Sequence, residues 1–229
     1  MTDRTEIPAG EAECEILRPV HEQIEAYMET LLGAGEDPVL LEMESLAKKH
    51  DFPVVGRLVG NFFKFLARSI GARRVFEFGS GFGFSAYWFS LGMDGGELIL
   101  TDGSKTNISL ARKYLSRVER KCAFQFHFAW SQDVFRESEG DFDLVYNDVD
   151  KGDYVEVWEL ARERIRPGGY YIADNVLWYG RVAAEKVEHD IEPGWTEAIK
   201  EHNALIFADP NFDAFINPTR DGVLVARRK

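Results

Sequence analysis

The run Val75-Phe76-Glu77-Phe78-Gly79-Ser80-Gly81-Phe82-Gly83-Phe84-Ser85 constrains this chain more than any other. An apolar, strand-like segment stops at Glu77, glycines stand at positions 79, 81 and 83, and an apolar, helix-like segment resumes at Phe84. A strand that turns abruptly into a helix needs residues free to take unusual dihedrals and to bring the backbone close to a ligand, and glycine does both. The spacing is not the G-x-G-x-x-G of dinucleotide sites. By itself the turn suits a ligand cradle or a plain tight connection.

The flanking pattern narrows the fold. Strand-like segments at 75–78, 98–101, 124–128, 142–146 and 170–173 alternate with helical segments at 84–91, 106–118 and 154–164, and Pro167-Gly168-Gly169 reads as a turn ahead of the fifth strand. Such alternation predicts a parallel sheet with helices on both faces. The end of the chain breaks it: a helix at 195–208, a strand at 212–217, a turn at 218–222 and a strand at 223–226. Strands joined by so short a turn are antiparallel. Before residue 71, helical spacing appears over 11–32, from Asp37-Pro38 to about Lys49, and from Leu58 to Ile70. The expectation is one α/β domain over 1–229: a doubly wound, seven-stranded, mostly parallel sheet at 71–229 with a C-terminal antiparallel strand, preceded by a helical extension at 1–70 that covers a sheet end or a dimer seam.

Composition limits the partners. The chain has 229 residues and a formal net charge of −12, which repels phosphates and disfavours a nucleic-acid partner. Cys14 and Cys122 form neither a metal-like spacing nor a disulfide framework, as suits a reduced, cytoplasmic protein. Residues 1–15 carry no apolar signal core, and no run is long enough to span a membrane.

In a sheet of this kind ligands bind beyond the carboxyl ends of the strands. There the expected strands end at Glu77, Asp102, Ser131-Gln132, Asp148 and Asp174-Asn175. Asp102 follows the glycine turn by about 20 residues, the spacing at which a carboxylate accepts ribose hydroxyls; a solvated turn before Gly103 is the plainer reading. Asp148, Asp174 and Asn175 offer only oxygen donors, which suit a hard divalent cation such as magnesium, while no His or Cys cluster points to zinc. Asp-Asn also simply opens loops. Lys151, three residues past Asp148, suits a base beside a metal in a closed pocket, or else a surface loop. Trp178 suits an aromatic face for an acceptor ring, or a packed loop anchor.

The motifs together resemble the cation-dependent catechol and caffeoyl-CoA O-methyltransferases, within the class I S-adenosylmethionine-dependent enzymes of Rossmann-like fold. Glu77-Phe78-Gly79 with Gly83-Phe84-Ser85 is similar to their E-x-G…G-Y-S cofactor turn. Val55-Gly56 resembles the segment at the cofactor's methionine end, and Ser131-Gln132-Asp133 the adenine-side S-Q-D. Asp148-Val149-Asp150-Lys151-Gly152-Asp153-Tyr154 resembles D-A-D-K-D-N-Y, Asp174 to Trp178 resembles D-N-x-L-W, and Asp221-Gly222 is a further match. The resemblance implies S-adenosylmethionine at Val55, Glu77, Gly79, Ser85, Asp102, Ser131, Gln132 and Asp148. It implies Mg2+, or Mn2+ or Ca2+, on Asp148, Asp174 and Asn175, with Lys151 catalytic and Trp178 against a phenolic or catechol-like acceptor, and it implies a homodimer. Departures are Asn147 in place of an apolar strand residue, Asp102 in place of Glu, Trp130 in place of a small residue, and Pro53 in place of Met. Two alternatives stand beside this expectation: methylation of a hydroxylated base in transfer RNA, and a non-catalytic or nicotinamide-binding module.

Overall fold

The computed structural model describes residues 19–32, 37–184 and 190–229. Three helices come first: α1 (Glu22–Leu31), α2 (Pro38–His50) and α3 (Gly56–Ser69). Asp37 caps α2 by accepting the Val39 amide at 2.9 Å, and Pro38 fits the first turn, where a missing N–H costs nothing. The helix expected over 11–32 is seen as α1; residues 1–18, Cys14 among them, lie outside the described part.

The alternating region follows as β1 (Arg74–Phe78), α4 (Phe84–Gly92), β2 (Glu97–Asp102), α5 (Lys105–Leu115), β3 (Ala123–Phe128), α6 (Ser131–Glu137), β4 (Phe142–Asn147), α7 (Tyr154–Ala161) and β5 (Ile165–Ala173). The chain closes with α8 (Trp195–Ala208), β6 (Phe212–Asn217) and β7 (Val223–Arg228). The seven strands lie in the order β3-β2-β1-β4-β5-β7-β6. The first five are parallel, and β7 runs antiparallel to both β5 and β6, as expected. Strand order reverses between β1 and β4, so the ligand crevice of an open sheet falls at the ends of those two strands.

Two elements differ from the sequence expectation. Helix α6 was not anticipated, because it is short and buries little beyond Val134 and Phe135 among charged neighbours. Pro167-Gly168-Gly169 does not precede β5 but lies inside it, at a register irregularity against β4. A Cβ on Gly169 would sit 2.7 Å from the Asp143 carbonyl oxygen, so the glycine admits a bulge rather than a turn.

Alternate strand residues feed two cores. Val75, Leu144 and Ile172 face Met43, Phe63, Phe89 and Leu115 from α2 to α5. Phe76, Val145 and Tyr171 face Phe135, Trp158, Ile199 and Ile206 from α6 to α8. Each such large apolar side chain contributes about 1.5–3 kcal/mol by leaving water. Stacking of Phe63 on Phe89, with centroids 4.6 Å apart, ties α3 to α4. The same seam needs Gly60: a Cβ there would lie 2.4 Å from the Trp88 indole. Gly60→Ala is expected to overpack the seam and destabilise the protein by about 1–3 kcal/mol, read as a lower denaturant midpoint; an unchanged midpoint would show that Trp88 swings aside freely.

Candidate active site

The glycine turn does what its composition demands. Gly79, Gly81 and Gly83 have φ of +77°, +50° and +86°, left-handed values that side chains resist. A Cβ on Gly79 would lie 2.4 Å from the Asp148 carbonyl oxygen, and the Asp148 amide donates to Phe78 at 2.9 Å. The turn after β1 and the end of β4 therefore touch backbone to backbone, and a cavity of about 580 Å³ opens above them. That volume lies in the range of small-molecule sites, about 300–1,000 Å³.

One side of the cavity is built from Val55, Gly79, Ser85, Asp102, Ser131 and Gln132. Asp102 Oδ2 accepts the Gly81 amide at 2.9 Å, and its Oδ1 accepts from Ser104 N at 2.7 Å and Asn107 Nδ2 at 3.1 Å. It is thus a structured turn residue and a wall residue at once; burial raises its pKa, against those three hydrogen bonds. The Thr101 hydroxyl donates to the Glu77 carbonyl at 2.6 Å and pairs with the Ser131 hydroxyl at 2.7 Å, which holds Ser131 at the wall. Trp130, 70% exposed, stands at this rim.

Glu77 alone of the expected residues is not on the wall. It is fully buried, neither carboxyl oxygen has a hydrogen-bond partner, and burial pushes its pKa up to about 8. The nearby Ser85 and Ser80 hydroxyls favour its ionised form, while Asp148 opposes it.

The other side of the cavity carries Asp148, Lys151, Asp174, Asn175 and Trp178. Lys151 Nζ donates to Tyr154 Oη at 2.6 Å, Asn175 Oδ1 at 3.1 Å and Asp148 Oδ1 at 3.3 Å, with only 7% of its side chain exposed. The Tyr154 hydroxyl donates in turn to the Asp174 carbonyl at 2.9 Å. Burial and the neighbouring Asp148 charge hold Asp174 above the usual carboxylate range; Lys151 and Arg220 oppose this. Burial raises Asp148 too, against the Lys151 charge, and 32% of its side chain is exposed. Among the described residues no three His, Cys, Asp or Glu side chains cluster as metal ligands; the candidate set is two carboxylates and one amide, oxygen donors throughout.

Trp178 is more anchored than a free acceptor platform. It is 5% exposed, and its indole N–H donates at 3.1 Å to Asp190, which also accepts the Thr196 amide at 2.7 Å at the start of α8. Tyr179, 44% exposed and also on the wall, offers the more open ring. Sequence reading missed Tyr179 and Arg220. Arg220 stands on the wall with φ of 55° and donates to the Val54 carbonyl at 2.5 Å; its place in a Pro-to-Gly turn gave no sign of this. Tyr154 was legible only as the last residue of its motif.

An O-methyltransferase family model matches residues 32–229. The chain belongs to that family. This O-methyltransferase is 28% identical over 203 residues to a catechol O-methyltransferase of Niastella koreensis, covering 86% of this chain and 90% of that one. It is 26% identical over 219 residues to a caffeoyl-CoA O-methyltransferase of Stellaria longipes, covering 90% of each. The crystal structure of a Bacillus cereus O-methyltransferase in complex with SAH superposes with a TM-score of 0.78 at 24% identity, over 90% of this chain and 97% of that one. The protein is an S-adenosylmethionine-dependent O-methyltransferase, and the expectation of a non-catalytic or nicotinamide module falls. Among the described residues no helix is long and apolar enough to cross a membrane.

Glu77 yields a prediction. Its ordinary pKa is 4.5 and its folded one about 8, so below pH 4.5 both states hold the proton and nothing is lost. As pH rises through that window the unfolded chain ionises while the fold keeps its proton, so stability falls, by at most about 1.4 kcal/mol per pH unit. Glu77→Gln should remove this slope. Calorimetry without cofactor should find the melting temperature of Glu77→Gln gaining on wild type between pH 4.5 and about 8; a difference flat with pH would refute the buried acid.

Proposed function

We propose that this enzyme methylates one hydroxyl of a small, vicinal dihydroxy aromatic acceptor, with a divalent cation of the magnesium class held by Asp148, Asp174 and Asn175. One observation carries the reading: a single cavity joins the glycine turn to an all-oxygen donor set with a buried lysine inside it. The residues fit such an ion. Two carboxylates balance a divalent charge, the Asn175 amide oxygen adds a neutral donor, and octahedral geometry leaves places for acceptor oxygens. A cation there also relieves the repulsion that burdens Asp174. Manganese or calcium suits the same donors.

Val55, Gly79, Ser85, Asp102, Ser131, Gln132 and the open edge of Asp148 form the proposed cofactor wall, and Glu77 backs it from beneath. S-adenosylmethionine supplies the methyl group, and a bound cation supplies charge that favours the ionised acceptor hydroxyl. Lys151, entering the step as the neutral amine, would take the hydroxyl proton on Nζ and become the ammonium. Tyr154, Asn175, Asp148 and, at 3.5 Å, the Val149 carbonyl are acceptors suited to an ammonium product. Trp178 and Tyr179 bound the acceptor ring, and much of the rate comes from alignment in a walled cavity. The names of the catechol and caffeoyl-CoA relatives support this acceptor class.

The test is a methyl-transfer assay on a catechol with and without EDTA. EDTA should abolish turnover and magnesium should restore it. Asp174→Ala should lose activity while calorimetry finds its S-adenosylmethionine affinity kept; full turnover in metal-free buffer refutes the cation. In the same assay Lys151→Ala should lower kcat by about 10²-fold or more with little change in KM, and a wild-type kcat would rule out the base.

A further inference from the structure

A buried polar chain runs behind the site, and it explains Asn147. This residue is fully buried at the end of β4, one position before Asp148, where an apolar residue would pack more cheaply. Its Nδ2 donates to Tyr171 Oη at 3.0 Å. Tyr171 Oη lies 2.9 Å from His202 Nε2, and His202 Nδ1 lies 3.1 Å from Asn203 Oδ1. Asn203 Nδ2 donates to the Val176 carbonyl at 3.0 Å, one residue past Asn175.

The donors fix the direction of every bond. Asn203 spends its amide N–H on Val176, so its oxygen faces His202 and must accept; His202 therefore carries its proton on Nδ1. Nε2 is then an acceptor and takes the Tyr171 proton, which leaves the Tyr171 oxygen to accept from Asn147. Donation runs one way from β4 through β5 and α8 to the loop after β5. His202 is fully buried, and that burial drives its pKa down to about 4, so the ring stays neutral as the chain requires. Its ring also packs edge-on against Tyr154, the partner of Lys151, with centroids 5.1 Å apart.

We propose that Asn147, Tyr171, His202 and Asn203 are positioning residues that set the spacing between Asp148 and the Asp174-Asn175 pair, an inference that rests on the metal reading above. A chain whose two ends abut the two halves of a ligand set restrains them against each other. A simple packing role would not need both ends there.

The test is calorimetric titration of Mn2+ into the full chain with S-adenosylhomocysteine present, for wild type, Asn203→Ala and Tyr171→Phe. Each variant should bind Mn2+ about tenfold or more weakly, with its affinity for S-adenosylhomocysteine unchanged. A 15N spectrum of wild type should show His202 protonated on Nδ1 only. Variants that melt lower yet bind Mn2+ as wild type does would overturn the inference and leave the metal reading intact. A wild-type protein that takes up no Mn2+ sinks both. If Asn203→Ala does not fold, Tyr171→Phe, which removes one oxygen, carries the test; an Nε2-protonated ring overturns the assigned direction.

Discussion

The contact on which the site depends is the bare backbone meeting of Gly79 with Asp148. With a Cβ-to-oxygen distance of 2.4 Å, no other residue fits at position 79 without parting β1 from β4. This meeting lies where the strand order reverses, so the turn that would cradle a cofactor and the strand end that carries a carboxylate share one wall. Methyl transfer needs donor and acceptor a few ångströms apart and in line. A fold that joins their two walls by main-chain contact meets that need without relying on mobile side chains.

Charge is the second constraint. Asp148 raises its neighbour Asp174, Asp221 is partly buried on the turn before β7, and the field of Lys151 and Arg220 favours the ionised form of all three. Asp221 illustrates the balance: burial pushes its pKa up to about 6, while the Tyr179 amide, 2.6 Å from its Oδ1, favours the ionised form. Its other oxygen is buried and unpartnered. Such a set of acids is costly in a stable fold and useful in a site that handles a cation and a proton.

Much of this was legible in the sequence, for a physical reason. Glycine at three left-handed positions, acids at strand ends and the alternation of strand and helix are local properties, written residue by residue. What escaped were properties of encounter. Glu77 reads as a polar strand end, yet it is fully buried behind the cavity lining. Trp178 reads as an aromatic face, yet Asp190 binds its indole N–H. Asn147 stands out as a misplaced amide, but its meaning depends on Tyr171 and on a helix that starts only at Trp195. Helix α6 and the bulge in β5 were hidden by shortness and by glycines that suit turns equally well.

The loop after β5 shows how such encounters hold a strained segment. Asn175, Trp178 and Tyr179 have φ of 55°, 49° and 55°, left-handed values that cost side chains about 1–3 kcal/mol each. The loop is gripped from two directions. On one side Val176 N donates to the Gly222 carbonyl at 3.1 Å, Leu177 N to the Asp221 carbonyl at 3.0 Å and Tyr179 N to the Asp221 carboxylate. On the other, α8 holds the Val176 carbonyl through Asn203, and the Trp178 indole is held by Asp190, which also accepts the Thr196 amide in the first turn of that helix. Gly222 must be glycine for the first grip, since a Cβ there would lie 2.4 Å from Leu177. Hydrogen bonds of this kind contribute about 0.5–1.5 kcal/mol each, so the five together are of the size needed to offset the strain. Held this way, the loop brings both of its site residues to Lys151: the Asn175 amide oxygen accepts from Nζ at 3.1 Å, and the Trp178 ring lies 5.9 Å from the same ammonium while its N–H is fixed to Asp190.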